Sequence, residues 1–407
     1  MRLLFLTGQV PYPPHAGGAL RTYGLLDGLH QAGFAIDLLT FIEPGQPDPA
    51  STPLATLCGE MVALPAPRRS LADRLRDLML TPYADMARRF YSPQFEAALK
   101  NQLLRVDYDL VQIESLEMAA YLPTIRAVRP AVRVIYDSFN AEFDLQRLMY
   151  EIDRRVPARL PGAAYSLIQW QRLTRFERKV CQQVDCVIAV SDADAEAFGR
   201  LAPGVRVAIV PNAIYVEEYS RVTQQLDLGS AALLFTGTMN YRPNVDAVMW
   251  FTNHVLAEIR HAVPEARLFV VGNKPHNRLD GVRQRPDVEV TGFVQDVLPF
   301  LQSAAVYVAP LRMGSGTRLK LLQAMAAGCA IISTRIGAQG LKVTSGREVI
   351  LADDATSFAQ GTVALLRDPA HRSRLGQAAR ELACREYDWP VIWPRLLKVY
   401  ADLGLAP

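Results

Sequence analysis

The residues best suited to chemistry in this chain lie together at Met313-Gly314-Ser315-Gly316-Thr317-Arg318-Leu319-Lys320. An apolar, β-rich run over 306–311 leads into them. A helix follows, with Leu319, Leu322 and Ala326 at helical spacing and Thr317 one turn earlier. Gly328 closes it, and a second buried strand runs over 330–334. Loop glycines let backbone N–H groups approach a ligand closely, and a helix start adds unpaired donors and a partial positive charge. That combination suits phosphate. Arg318 and Lys320 place cations where they oppose the helix dipole, a cost that a bound anion would offset. A helix start whose basic side chains simply face water fits the same residues, and the loop alone leaves both readings open.

A weaker candidate lies near the start. Gly17-Gly18 follows a proline-rich loop over 8–18 and opens a helix over 19–32, with Arg21 one turn in. Tight packing accounts for two such glycines as readily as an anion does. His15 in the same loop reads as a solvent-facing histidine.

These segments need a scaffold. The chain has 407 residues, enough for two domains, and its half-hydrophobic, 21% charged composition fits a globular protein. A net charge of +3 gives no reason to expect nucleic acid. No apolar run reaches the length of a membrane span, and the first residues read as a strand rather than a signal peptide. The five cysteines are scattered and form no metal-ligand spacing, so buried free thiols and a cytoplasmic location are expected.

Strand-like runs over 3–7, 35–41, 61–64, 110–114, 132–137, 186–191 and 207–211 alternate with helical segments, which predicts a doubly wound α/β domain. Residues 215–229 are polar and aperiodic and read as a linker. The alternation restarts with strands over 232–236, 267–272 and 288–292, a helix over 245–263, and then the glycine-loop unit. The tail over 389–403 carries Trp389, Ile392, Trp393, Leu396, Leu397 and Tyr400 at helical spacing and is expected to pack back across the domain junction. The expected domains are 1–214 with 389–407, and 215–388. Residues 68–89 hold six arginines against three aspartates, with Leu71, Leu75 and Met79 among them. An amphipathic helix packed on its domain is the commoner explanation; a peripheral contact with an anionic membrane surface is the alternative. Arg154, Arg155 and Arg159 form a similar basic loop.

Four stretches in order, PYPPHAGGALRTYGLL, YDSFNAEFDLQR, TGTMNYRPNVDAVMWF and PLRMGSGTRLKLLQAMAAGCAIISTRIGAQGL followed by ILADD, resemble the retaining glycosyltransferases of family 4 nearly end to end. The resemblance implies the GT-B fold, two facing Rossmann-like parallel-sheet domains with a C-terminal helix crossing back to the first. It implies an acceptor held by the first domain and a nucleoside-diphosphate sugar, a UDP-sugar foremost, held by the second. It further implies no metal and no other cofactor. Gly314, Ser315, Gly316 and Thr317 match the part that contacts the donor sugar and diphosphate, and Arg318 and Lys320 match the catalytic basic positions of a GTRLK motif. Gly17, Gly18 and Arg21 match a first-domain loop that closes on the diphosphate. Gly237, Arg242 and Asn244 match positions beside the donor pocket.

Some positions depart from the family pattern. Two glutamates eight positions apart are replaced by Ser315 and Gln323, the second of which would bind ribose hydroxyls. Phe139 stands where a histidine touching the donor sugar is expected, leaving Asp137, Asn140 and Glu142 nearby, with Asp137 and Glu142 as candidate catalytic carboxylates. Gln339 replaces a glutamate of a GAEGL motif. The acceptor, a sugar, a lipid-linked sugar or a small molecule, is not specified by any motif. The replacements make a non-catalytic partner of an active transferase the second reading. A sugar-nucleotide epimerase ranks last, because the six histidines offer no acid and base placement.

Overall fold

The computed structural model describes every residue except 15, 16, 156, 158, 159, 223, 315, 406 and 407. Ser315, His15 and Arg159 therefore lie outside the described residues. The chain divides into two compact units, Met1–Asn212 with Ile392–Pro407, and Ala213–Val391.

The first unit is built on a seven-stranded sheet. Its strands are β1 (Arg2–Thr7), β2 (Ala35–Ile42), β3 (Met61–Pro65), β4 (Leu110–Glu114), β5 (Arg133–Asp137), β6 (Cys186–Ala189) and β7 (Val207–Ile209). They lie in the order β3-β2-β1-β4-β5-β6-β7, and every pairing is parallel. Residues of β1 and β4 such as Leu4, Leu6, Val111 and Ile113 are wholly buried, as strands covered on both faces must be. The second unit repeats the plan with β8 (Ala232–Thr236), β9 (Arg267–Val271), β10 (Val288–Gly292), β11 (Val306–Ala309), β12 (Ile331–Ser333) and β13 (Ile350–Leu351). Their order is β10-β9-β8-β11-β12-β13, again parallel throughout.

Several expectations are corrected by packing. Residues 215–229 are not a free linker: Val216–Ser220 forms a 3-10 turn whose Val216 is buried, with Tyr219 and Leu228 packed on the second core. The helix over 245–263 is two helices, Arg242–His254 and Leu256–Ala262, meeting at Val255. Four cysteines are buried, but Cys384 is exposed.

The last helix, Trp389–Ala401, starts in the second unit and from Ile392 belongs to the first. Within the first unit the Trp393 indole N–H donates to the Gly24 carbonyl at 2.9 Å, and the Tyr400 hydroxyl donates to the Gln112 side-chain oxygen. Among the described residues no helix is long and apolar enough to cross a membrane.

Candidate active site

Each sheet has one place where neighbouring strands send their connections in opposite directions, between β1 and β4 and between β8 and β11. Ligands of open parallel sheets bind beyond the carboxyl ends of the strands at such points.

In the second unit β8 runs into Gly237, whose φ is +150°. A Cβ there would stand 2.7 Å from both the Asn244 Nδ2 and the Lys320 Nζ, so only glycine leaves these side chains room. Asn244 belongs to the first turn of Arg242–His254, next to the half-buried Arg242. Its Nδ2 donates to the Thr238 carbonyl at 2.9 Å, which turns its Oδ1 toward Lys320. The Lys320 Nζ donates to that oxygen at 2.5 Å and lies 4.6 Å from the centre of the Phe235 ring. Asp246, two residues further along the helix, accepts a two-pronged bond from Arg312 at 2.9 and 3.0 Å, tying that helix to the loop after β11.

Lys320 thus folds inward rather than into water. Burial first, and the Arg318 charge second, push its pKa down to about 7. An arriving anion would restore the ammonium and gain a full charge-assisted contact. The Leu319–Ala326 helix begins after Thr317, not before it, because Arg318 sits at the N-cap with extended backbone. The Arg318 guanidinium folds back over the loop: a Cβ on Gly314, where φ is +123°, would stand 2.3 Å from its Nη2. Gly316 is buried and Thr317 is 8% exposed. Gln323, expected to reach a ribose, donates through Nε2 to the Tyr219 hydroxyl at 2.9 Å, and burial pushes that phenol up to about 12. Beyond β9, the Asn273 side-chain oxygen is buried with no hydrogen-bond partner among the described residues, and Lys274 has φ +51°.

The first unit differs from expectation. Arg21 is 1% exposed and Asp137 is 0% exposed. The guanidinium holds Asp137 through Nε at 2.8 Å and Nη2 at 2.6 Å. Its Nη1 donates to the Val210 and Pro211 carbonyls and the Asn212 side-chain oxygen. In this structure Arg21, expected at the diphosphate, and Asp137, expected as a catalytic carboxylate, are instead paired with each other inside the core. Glu142 opens the Glu142–Asp153 helix, accepts from Asn140 at 3.3 Å and lies outside the described cavity lining. Desolvation, then the Glu117 charge, push it up to about 7. Glu177, which accepts from the Tyr136 hydroxyl and from the amides of Glu142 and Phe143, is pushed up to about 8, by desolvation first and Glu142 second. Glu142, half-buried, thus stands between Glu117 of the cavity wall and the buried Glu177.

A cavity of about 180 Å³ does open at the β1–β4 junction. Thr7, Gly8, Gly18 and Thr22 form one side, Glu114, Ser115 and Glu117 another, with Phe90 and Phe139 as apolar walls. Gly17 and Gly18 start the Gly17–Gln31 helix, and a Cβ on Gly18 would press to 3.1 Å on Phe139, so the glycine admits this ring. Glu114 accepts from Gln112 at 2.6 Å and Thr22 at 3.0 Å, and burial followed by Asp137 raises its pKa well above the usual carboxylate range. Ser115 holds φ +73°, a conformation found at functional turns. Glu114, Glu117 and Phe90 are cavity-lining residues that sequence reasoning missed or left aside. The one signal was a carboxylate closing the strand-like run at 110–114, which also holds Gln112. Among the described residues no three His, Cys, Asp or Glu side chains gather as a metal set.

Two family models match the chain, a glycosyl transferase 4-like domain over 16–213 and glycosyl transferases group 1 over 230–368, and between them they span most of it. The chain belongs to the group 1, family 4-like glycosyltransferases. A Klebsiella pneumoniae protein of the cps region, itself uncharacterized, is 19% identical over 98% of this chain and 99% of its own length. A Mycobacterium tuberculosis phosphatidyl-myo-inositol mannosyltransferase is 28% identical over 53% of this chain, and the match spans 59% of that enzyme. Sucrose-phosphate synthase of Thermosynechococcus elongatus shares the fold with a TM-score of 0.75 at 18% identity, covering 99% of both chains. Anabaena HepE, solved with UDP-glucose, does so with a TM-score of 0.67 at 13% identity, covering 99% of this chain and all of its own. The glycosyltransferase is thus of GT-B fold, and sugar transfer is its class of reaction.

Proposed function

We propose that this glycosyltransferase moves a sugar, with retention and without a metal, from a nucleoside-diphosphate sugar to an acceptor hydroxyl in polysaccharide or glycoside assembly. The observation that carries the reading is Lys320, turned inward beside bare Gly237, bonded to Asn244, near the Arg318 charge and with its pKa pushed down to about 7. A diphosphate supplies the charge this pocket lacks. As the bond from anomeric carbon to phosphate breaks, negative charge grows on the leaving oxygen, and a prearranged ammonium with loop amides stabilises it. The departing phosphate oxygen takes the acceptor proton, so no carboxylate base is needed, consistent with the burial of Asp137 against Arg21. UDP is the favoured nucleotide because the structural relative HepE carries UDP-glucose. The cps-region relative supports a polysaccharide setting. In this reading the second unit holds the donor and the first unit's cavity, walled by Phe90 and Phe139, takes the acceptor.

A thermal-shift series over nucleotides and nucleotide sugars tests the donor class, since a ligand that binds the native state raises the midpoint by mass action. A rise with UDP that Lys320→Ala abolishes is expected; a shift that survives this substitution removes Lys320 from the diphosphate. One observation favours a second reading, a non-catalytic partner of an active transferase. Gln323 is engaged by Tyr219, and Phe139 fills the place of a histidine. That reading requires a flat response to every donor and no transfer by the purified chain.

A further inference from the structure

The Leu71–Leu80 helix is mounted the wrong way round for a soluble domain. Its one buried residue is Asp77. Arg69 holds Asp77 at 2.8 Å and Asp85 at 2.9 Å, and Arg172 donates to the Asp77, Leu78 and Tyr83 carbonyls at the helix end. The helix therefore docks by its polar side. Its apolar residues face outward instead: Leu71 is 70% exposed, Leu75 53%, Met79 79% and Leu80 76%. Leu71, Leu75 and Met79 follow at spacings of four and form one stripe, roughly opposite Asp77 on the helix wheel. The expectation of an amphipathic helix packed apolar side inward is thus overturned.

Charge flanks this stripe. At about 100° per residue, Arg76 leaves the helix on one side of it and Arg74 on the other. Both are exposed, as is Arg68 just before the helix. Arg74 bonds the Tyr165 side chain and pairs with Asp85 at 3.4 Å, Arg76 reaches Asp73 at 3.3 Å, and Arg69 takes the closer contacts with Asp77 and Asp85. Tyr83, 53% exposed, carries the Arg88 guanidinium 5.5 Å above its ring. An apolar stripe between arginines, with an aromatic at its end, matches a lipid surface: the stripe enters the acyl boundary while the guanidinium groups stay at anionic headgroups. A second copy of this chain would bring the same cations face to face.

We propose that the outer face of this helix docks the protein on an anionic membrane surface. The proposal stands apart from the transfer reading and from the donor pocket. The test is sedimentation of the full chain with vesicles of phosphatidylcholine and phosphatidylglycerol, and with phosphatidylcholine alone. Wild type should pellet with the anionic vesicles at low salt and be released by high salt. The double substitution Leu75→Glu with Met79→Glu should lower the bound fraction about tenfold or more. Replacing Arg68, Arg74 and Arg76 by Gln should weaken binding to the anionic vesicles and leave little salt dependence. Leu75 and Met79 are exposed, so the thermal midpoint of the Glu pair should not move, which separates lost docking from lost folding. Wild type that stays in the supernatant with both vesicles overturns the proposal, as does a Glu pair that binds like wild type. A wild-type dimer by analytical ultracentrifugation that the Glu pair dissociates, with no vesicle binding, assigns the face to a second copy and overturns it equally.

Discussion

At the ends of β1 and β4 the first sheet gathers acids, and at the ends of β8 and β11 the second gathers a lysine and an arginine. The strand order around both junctions is the same, so topology does not decide the chemistry. Burial of charge does. In the first unit the guanidinium of Arg21 is fully spent on Asp137 and three backbone or amide oxygens, and Glu114, Glu142 and Glu177 are pushed toward their neutral forms. In the second unit Lys320 has one side-chain oxygen as its bonded partner and is pushed toward its neutral form from the other direction. The first junction is internally satisfied. The second is short of negative charge, which a diphosphate would bring.

The sharpest way to break this contrast is to open the buried ion pair. Arg21→Met or Asp137→Ala leaves an uncompensated buried charge and should cost about 3–5 kcal/mol in urea unfolding of the full chain. A mutant of normal stability that has lost donor binding would instead restore Arg21 to the phosphates and erase the difference between the junctions.

Lys320→Ala comes next. It should weaken UDP-sugar binding about a hundredfold by calorimetry, on the scale of removing one partner from a desolvated charge contact. Above pH 7 the wild-type complex should also take up a proton on binding, detectable by repeating the titration in buffers of different ionisation enthalpy. Equal heats in every buffer would mean that Lys320 does not change charge state.

The pH dependence of stability should have opposite signs in the two units. Glu177 is held near 8, above its ordinary value of 4.5, so the native state binds more protons in that interval. Its contribution is complete below the ordinary value and is lost as pH rises through about 8, with Glu142 behaving likewise through about 7. Lys320 is depressed from 10.5 to about 7, so the unfolded state binds more protons there and stability rises with pH across that window. Glu177→Gln should flatten the first slope and Lys320→Met the second, as read from midpoints measured at a series of pH values. Slopes unchanged in both variants would show that neither group is desolvated as its surroundings imply.

The smallest expected effect is a gain. Gln323→Glu exchanges an amide bonded to Tyr219 for a charged acceptor and should tighten donor binding by about 1–2 kcal/mol, if the ribose lies there. No change in affinity would place the ribose elsewhere and leave Gln323 as a packing contact of the Val216–Ser220 turn.

Much of the scaffold could be read from residue order. Largely apolar runs of four to six residues marked β1, β4, β8 and β11, as strands covered on both faces require, although β4 also buries Gln112 and Glu114. The run from Gly314 to Lys320 could be read as a glycine loop and basic helix start suited either to an anion or to water. What residue order could not convey was where each charge ends up. Arg21 and Lys320 look alike in sequence, a cation one turn or less inside a helix after a glycine loop. Only the folded chain places Asp137 and the Val210 and Pro211 carbonyls around the first and leaves the second beside a single asparagine. The same holds for the Leu71–Leu80 helix: its alternation of leucine and arginine fixed an amphipathic element, but which side turned outward depended on Arg69 and Arg172 binding its polar face from elsewhere in the chain. Periodicity is a property of neighbours along the chain; the environment of a charge is set by residues distant in it, and that environment decides whether the charge is locked away or available.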